Sequence, residues 1–449
     1  MEKRIELKNN ITTEDIVKLF KSEEYFFMLE SNRANDIQSC YTYIGIKPQD
    51  YVIANAVGAE LIEEFNDFYY KYRKGEKNLT FPCFFSFLTY DLGMSFLNVE
   101  SKFEYNSNIP QGYLGYYPVV IELDERNNKA AICYDVDSEN DAILIKRKVD
   151  YYEKETQELK VKYHEFTYTE NYESYAKKIE IIKNYIYEGD VYQINYTRRF
   201  NGFIEKADYN DMYLKLKRTN PAPFSAFIRH SDWAIISSSP ERLIKSTKGI
   251  LETRPIKGTI ERGNNFLTDF INKIKLKNSE KDKSELLMIV DLERNDLSRI
   301  SESGSVRVDE LFKIETYETI HHLVSTIRGR INSGLTPFDV LYRLFPGGSI
   351  TGTPKKRAIE IIDELEDFSR GIYTGTIGYI KEDGDFDFNI AIRTIVIEGN
   401  EFNYNVGGGI TWKSETEAEY METEHKGLGL KRSLDFELWS LWIQKCYWI

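Results

Sequence analysis

In the segment "ETRPIKGTIERG", residues 252–263, an amine stands between a proline and a glycine: Lys257 follows Pro255-Ile256 and precedes Gly258. A solvated charge at a turn accounts for this, and so does an amine aimed into a site. Burial, or a neighbouring cation such as a bound metal or Arg254, lowers a lysine pKa and frees the nitrogen as a nucleophile. Glu241 follows Ser239-Pro240 between two strand-like runs. From such a rim a carboxyl with a raised pKa acts as a general acid, although a surface-turn glutamate is the plainer account of an isolated one.

Glu419 and Glu422 are three apart in a helical pattern, with Lys426 four beyond Glu422. They share a face, where like charges cost about 0.2–0.5 kcal/mol. A divalent ion reverses that cost, and magnesium takes one or two carboxylates plus waters and ligand oxygens. Glu285, opening "ELLMIVDL", is a third carboxylate. The spacing alone favours a solvated helix face. Gly407, Gly408 and Gly409 in "NVGGGI" permit close approach of backbone N–H groups to a carboxylate, or simply form a bulge. Arg393, a charge inside the apolar run "NIAIRTIVI", is either paired in the core or presents its fork to a carboxylate. His321 and His322 alternate across a strand, so they face opposite ways. "FPGGSITGTPKK" is not a phosphate loop, because Thr353-Pro354 follows Gly352 where Lys-Ser/Thr is required. Together these residues suit elimination or substitution on a small dicarboxylate.

The elements that must position them alternate between strands and helices. Residues 1–150 are rich in short strand-like runs such as "CFFSFLTY" and "YLGYYPVVIEL", followed by a charged helix and linker ending near 168. From 168 to 435, strand pairs with turns at Lys248-Gly249, Asp383-Gly384 and Gly399-Asn400 are interspersed with helices. Thr353 is expected to cap one of these helices, with Pro354 at its first position. Residues 436–449 form a Trp-rich tail. Antiparallel runs with helices between them predict an α+β fold.

With 449 residues and a net charge of −13, the chain does not have the basic face of a nucleic-acid binder. An anionic substrate therefore needs a local cation, a metal or oriented N–H groups. Cys40, Cys83, Cys133 and Cys446 form no C-x-x-C pair, so neither a zinc cluster nor a disulfide framework is indicated. The N-terminus does not read as a signal peptide, and no apolar run approaches the roughly 18 residues of a membrane span. A cytoplasmic setting is expected.

Ten motifs run in a family order: "GDVYQINYTRRF", "SSPERL", "TRPIKGT", "ELLMIVDLERNDLSRI", "HHLVSTI", "FPGGSITGTPKKRAIEIIDELE", "RGIYTGTIGYI", "IAIRT", "GGGI" and "EAEYMETEHK". Over about residues 168–435 the chain resembles the chorismate-using enzymes, and among them component I of aminodeoxychorismate synthase, sister to component I of anthranilate synthase. The resemblance implies the anthranilate synthase component I-like fold, a large antiparallel β-sandwich flanked by helices. It implies conversion of chorismate and ammonia to 4-amino-4-deoxychorismate, a step toward 4-aminobenzoate and folate. Lys257 in "PIKGT" stands where anthranilate synthases have a small residue, and is implied as a covalent nucleophile with Glu241 as general acid. Mg²⁺ on Glu285 and Glu422, with Glu419 nearby, is implied to hold the ring carboxylate. Arg393, Tyr373, Lys426 and the Gly407–Gly409 amides are implied to hold other anionic groups. Gln193 and Ser349 match pocket-lining positions, and His322 matches a histidine of the relatives. Isochorismate and salicylate synthases usually carry a lysine at the Gln193 position. No cysteine lies in a Gly-x-Cys-x-Gly elbow, so a separate glutamine amidotransferase subunit is the expected ammonia source. A tryptophan pocket near Ser31 and "NPAPFSAF" is also implied. Anthranilate synthesis, or a non-catalytic chorismate- or tryptophan-binding protein, are the alternatives.

Overall fold

The computed structural model describes residues 1–8, 11–31, 41–54, 57–73, 79–153, 163–168, 170–204, 208–317 and 320–434. The Trp-rich tail and most of the linker before 168 lie outside the described residues. Two antiparallel sheets, of twelve and ten strands, pack face to face. This is the α+β sandwich with flanking helices that the sequence leads one to expect. Segments 1–150 and 168–434 both contribute to each sheet. Phe26–Glu30 pairs with Phe224–Arg229 in the larger sheet, and Pro82–Leu88 pairs with Thr376–Lys381 in the smaller.

Alternation along the strands separates two cores, as a pleat of period two requires. In Trp233–Ser239, Trp233 and Ile235 join Phe85, Phe87, Leu243 and Phe388 between the sheets. Ala234 and Ile236 point the other way, beneath the helices Thr13–Leu19 and Tyr209–Thr219, with Ile16, Met212 and Leu216. A third cluster seats the helices Tyr172–Glu188 and Lys355–Leu365 on the strand Gln193–Ile204, through Tyr175, Ile179, Ile182, Ala358 and Ile362.

Two of the chain's changes of sheet, a first and a second crossing, lie side by side. Trp233–Ser239 belongs to the larger sheet and Arg242–Thr247 to the smaller. Phe386–Asn389 belongs to the smaller and Thr394–Glu398 to the larger. The two crossings are tied together: Ile390 N–H donates to the Glu241 carbonyl (3.0 Å), Ser238 N–H to the Arg393 carbonyl (3.1 Å), and Ser239 Oγ to the Ile390 carbonyl (2.6 Å). Pro354 precedes the helix Lys355–Leu365 without a side-chain cap, and Thr353 is not the cap expected from sequence. Instead Gly352-Thr353 pairs as a short strand with Gln193-Ile194. The backbone at Thr353 is thus extended and committed to a ladder.

A buried ion pair braces this region. Arg370 donates to both oxygens of Glu366 (2.9 and 2.6 Å), to the Ile350 carbonyl (3.1 Å) and to the Asn195 carbonyl (2.6 Å). Arg370→Met strands a buried carboxylate and should cost about 3–5 kcal/mol, read as a lower urea midpoint of unfolding.

Candidate active site

Lys257 lies in the strand Ile256–Glu261, paired with Ile320–Arg330. Lys257 faces Leu323 and Thr259 faces His322, so the ladder slips by one residue at Gly258, whose φ is +73°. This bulge needs glycine for its dihedral and also for space. A Cβ at Gly258 would lie 2.8 Å from Asp282 Cγ and 2.9 Å from Leu276 Cδ1. The helices Phe266–Lys277 and Glu280–Ser298 can therefore close over the strand. Ser279 starts the second of these helices by accepting from Asp282 N–H (3.3 Å), as a serine N-cap does. Arg254 is ion-paired with Glu315, so its charge is already balanced.

Glu241 sits at the first sheet crossing. Burial pushes its carboxyl pKa up, against a hydrogen bond from Ser349 Oγ (2.9 Å) and the charges of Lys257, Lys426 and Arg393. One carboxyl thus feels three cations, each carried by a different segment. Arg393, at the second crossing, has a φ of +51°, a conformation uncommon for residues other than glycine. Ser349 is buried in the turn Gly348–Ile350. Tyr373 is buried nearby, its hydroxyl pKa raised to about 12 by burial. Gln193 is 1% exposed, and its Nε2 has no hydrogen-bond partner among the described residues. A buried donor left unpaired marks a place where a ligand acceptor fits.

Gly407, Gly408 and Gly409 lie inside the ladder of Glu401–Ile410 with Gln193–Ile204, opposite Thr197, Tyr196 and Asn195. The space above them is already taken. A Cβ at Gly407 would lie 2.6 Å from the Tyr196 carbonyl oxygen, one at Gly409 2.8 Å from Gln193 Nε2, and one at Gly408 3.2 Å from Glu419 Oε2 and 3.9 Å from Glu422 Oε1. The helix Thr416–Ser433 crosses this strand. Lys426 donates to the Gly407 carbonyl (2.9 Å) and pairs with Glu422 (2.7 Å). Burial raises the Glu419 pKa. For Glu422 burial acts in the same sense but is outweighed by Lys426 and, further off, by Lys257 and Lys281, so its pKa falls. Glu285 stands with Lys281, 4.0 Å away, and Lys281 also acts on Glu419 and Glu422. Among the described residues, no three acidic, His or Cys side chains are gathered closely enough to hold a metal ion. The carboxylates over Gly408 suit an ion that takes two protein carboxylates and fills its other positions with water and ligand oxygens.

The two histidines divide as the strand alternation requires. His321 is fully buried and bonded to Asp269 (2.9 Å) and Thr316 (3.0 Å). His322 is bonded to Thr259 across the ladder (2.8 Å) and meets the Tyr317 ring edge-on. Ser31 is buried at the end of Phe26–Glu30. A cavity of about 40 Å³ is bordered by Leu29, Glu30, Tyr43 and Phe224.

Sequence reasoning missed one cluster. The helix Glu280–Ser298 buries Leu286, Ile289, Val290, Glu293, Asp296 and Leu297, a helical stripe that includes two carboxyls. Their place on the apolar stripe was the available signal. Asp296 pairs with Lys355 (2.7 Å). Burial and the adjacent Asp296 push the Glu293 pKa up.

A profile of chorismate binding enzymes matches residues 24–431. The chain belongs to that family. It is 39% identical over 343 residues to aminodeoxychorismate synthase component 1 of Klebsiella aerogenes, covering 75% of this chain and 74% of the relative. It is 47% identical over 252 residues to the protein of that name from Salmonella typhimurium, covering 56% and 55%. Among solved structures, anthranilate synthase component I from Streptococcus pneumoniae superposes with a TM-score of 0.78 at 27% identity, covering 88% of this chain and 93% of that one. The menaquinone-specific isochorismate synthase of Escherichia coli shares the fold, with a TM-score of 0.75 at 18% identity, covering 97% and 94%.

In this chorismate binding enzyme the central glycines should differ in kind. Gly407→Ala drives a Cβ into backbone and should cost about 1–3 kcal/mol, seen as a lower melting temperature. Gly408→Ala meets only the ends of carboxylate side chains, and should lower turnover far more than melting temperature. Glu293 sets a pH dependence of stability. At low pH it is protonated in the folded and unfolded chain alike. As pH rises the unfolded chain releases the proton while the folded chain retains it, so stability falls until the folded carboxyl ionises. Glu293→Gln does not titrate, so its stability relative to the wild type should rise from about pH 4.5 through neutrality, measured by denaturant melts at several pH values.

Proposed function

We propose that this protein converts chorismate and ammonia to 4-amino-4-deoxychorismate, acting as an aminodeoxychorismate synthase component I. The observation that carries the reading is that the charges of Lys257, Lys426 and Arg393 all act on the one buried Glu241 carboxyl. The uncharged Lys257 nitrogen attacks ring C2. The C1–C2 double bond moves to C1–C6, the C5–C6 double bond moves to C4–C5, and the C4–O bond breaks. Glu241, its pKa raised by burial, gives its proton to the departing hydroxyl, which leaves as water, and the lysine nitrogen releases a proton. Ammonia then bonds to C4 and gives up a proton, the double bonds return, and the C2–N bond breaks as the departing lysine nitrogen takes a proton up. Two allylic displacements thus replace one direct substitution.

Ser349 aims the acid through its 2.9 Å hydrogen bond. Arg393, Tyr373 and Lys426 receive the anionic groups, and Gln193 offers its unpaired amide. Gly407, Gly408 and Gly409 let the strand lie close against Gln193, Glu419 and Glu422, where larger residues would push those groups away. His322 is read as lining the Lys257 strand through Thr259. Glu422, with Glu285 or Glu419 as the second carboxylate, would hold Mg²⁺, whose charge when bound offsets the substrate's ring carboxylate. The ammonia source is read as a separate glutamine amidotransferase subunit, in keeping with the component 1 naming of the relatives. Two buried free cysteines, Cys83 and Cys133, agree with a reducing, cytoplasmic setting. Among the described residues no helix is long and apolar enough to cross a membrane. The Ser31 region is read as the place of the tryptophan pocket that the resemblance implies.

Incubation with chorismate, Mg²⁺ and ammonium should yield 4-amino-4-deoxychorismate without pyruvate, identified by mass spectrometry. Anthranilate with pyruvate would assign the sister activity instead, and no turnover would favour a binding protein. Without ammonium, the wild-type chain should carry an adduct of chorismate less water, and Lys257→Ala should carry none and be inactive. Glu241→Gln should lower turnover by about 10²–10⁴-fold. It should also lose the fall in activity that the wild type shows as pH rises through the raised Glu241 pKa.

A further inference from the structure

Glu241 can act as an acid only if its carboxyl points at the departing group, and its recorded side-chain hydrogen bond is the one from Ser349. Ser349 is part of a one-turn segment, Gly348–Ile350, far too short to hold itself. What holds it is beneath it. A Cβ on Gly348 would lie 2.3 Å from Leu292 Cδ2 and 3.6 Å from Asp296 Oδ2, so the turn rests directly on the helix Glu280–Ser298. Lys355, which follows the turn, reaches back under it and donates to Asp296 Oδ2 (2.7 Å) and to the Leu344 carbonyl (2.7 Å), which precedes the turn. The ammonium therefore closes both ends of residues 344–355 onto one buried carboxylate. Lys355 is 9% exposed and Asp296 2%.

Burying such a pair is rarely the cheapest way to stabilise a fold, since apolar residues of similar volume often do as well. A charged clamp does supply direction, because its hydrogen bonds fix where the chain runs. The geometry lacks any contact of Lys355 or Asp296 with the cleft carboxyl itself, so their influence passes through Ser349.

We propose that the Lys355–Asp296 pair is a positioning device for the reaction: it fixes the Ser349 turn and so aims the Glu241 carboxyl. The inference rests on Glu241 being the general acid.

The test compares Lys355→Met, Asp296→Asn, Ser349→Ala and the double variant Lys355→Met/Ser349→Ala in the full chain, with chorismate, Mg²⁺ and ammonium. The neutral pair Lys355→Met/Asp296→Asn is added because it leaves no unpaired buried charge and so keeps the chain folded. Lys355→Met and the neutral pair should lower kcat by about 10- to 100-fold, with the KM for chorismate within about threefold of wild type. Lys355→Met/Ser349→Ala should be no slower than Ser349→Ala alone, since both act through one hydrogen bond. Lys355→Arg should recover part of the lost kcat. Additive losses, a loss confined to KM, or full activity of the neutral pair would overturn the proposal. If Ser349→Ala and Glu241→Gln were both as active as wild type, the general-acid reading itself would fall, and the positioning inference with it.

Discussion

At Glu241 the chain leaves one sheet and enters the other, and this change of sheet sets the geometry of the site. A strand presents its side chains to one face or the other. A residue at the crossing points instead along the seam between the layers. The second crossing, at residues 390–393, lies against the first through backbone hydrogen bonds, so the main chain at Glu241 and at Arg393 is held in one arrangement. The remaining groups are brought to that seam: Lys257 by a bulged strand, Ser349 by a buried turn, and Lys426 by a helix lying over three glycines.

The electrostatics follow from this packing. The chain carries a net charge of −13, yet the carboxyl at the seam feels Lys257, Lys426 and Arg393 together. Desolvation still prevails and raises the acid's pKa. The same enclosure that raises Glu241 gathers cations to receive an anionic substrate, so acid strength and substrate charge are matched by one arrangement. Burial and local charge act oppositely on Glu419 and Glu422, and the two carboxylates differ although one helix turn separates them.

Much of this was legible in the sequence, because side-chain type and period carry it. Lys257 between proline and glycine, Glu241 after Ser-Pro and the Glu419–Glu422–Lys426 face were visible as types at spacings. The α+β class followed from strand runs and turn signals, and the antiparallel sandwich from the resemblance that the ordered motifs carry. Other features depend on contacts distant in sequence. Thr353 reads as a helix cap, and only its pairing with Gln193 reveals a strand. The glycine run reads as a loop that exposes amides, whereas its reason is the crowding by Gln193, Glu419 and the Tyr196 carbonyl. Glu293 and Asp296 sit on an apolar stripe, but their partner Lys355 is dozens of residues away. Such pairings are decided by tertiary packing, which local pattern does not encode.

The interleaving of early and late strands has a consequence for synthesis. Strands from the first third of the chain pair with strands beyond residue 370, and Glu419, Glu422 and Lys426 belong to the final described helix. As the polypeptide emerges from the ribosome, neither sheet can be completed, and the cleft stays unformed, until nearly the whole message has been read. Contacts so distant along the chain close slowly, so nascent intermediates carry open sheet edges for most of translation. A chain cut short ahead of its last helix would leave the cleft without Glu419, Glu422 and Lys426.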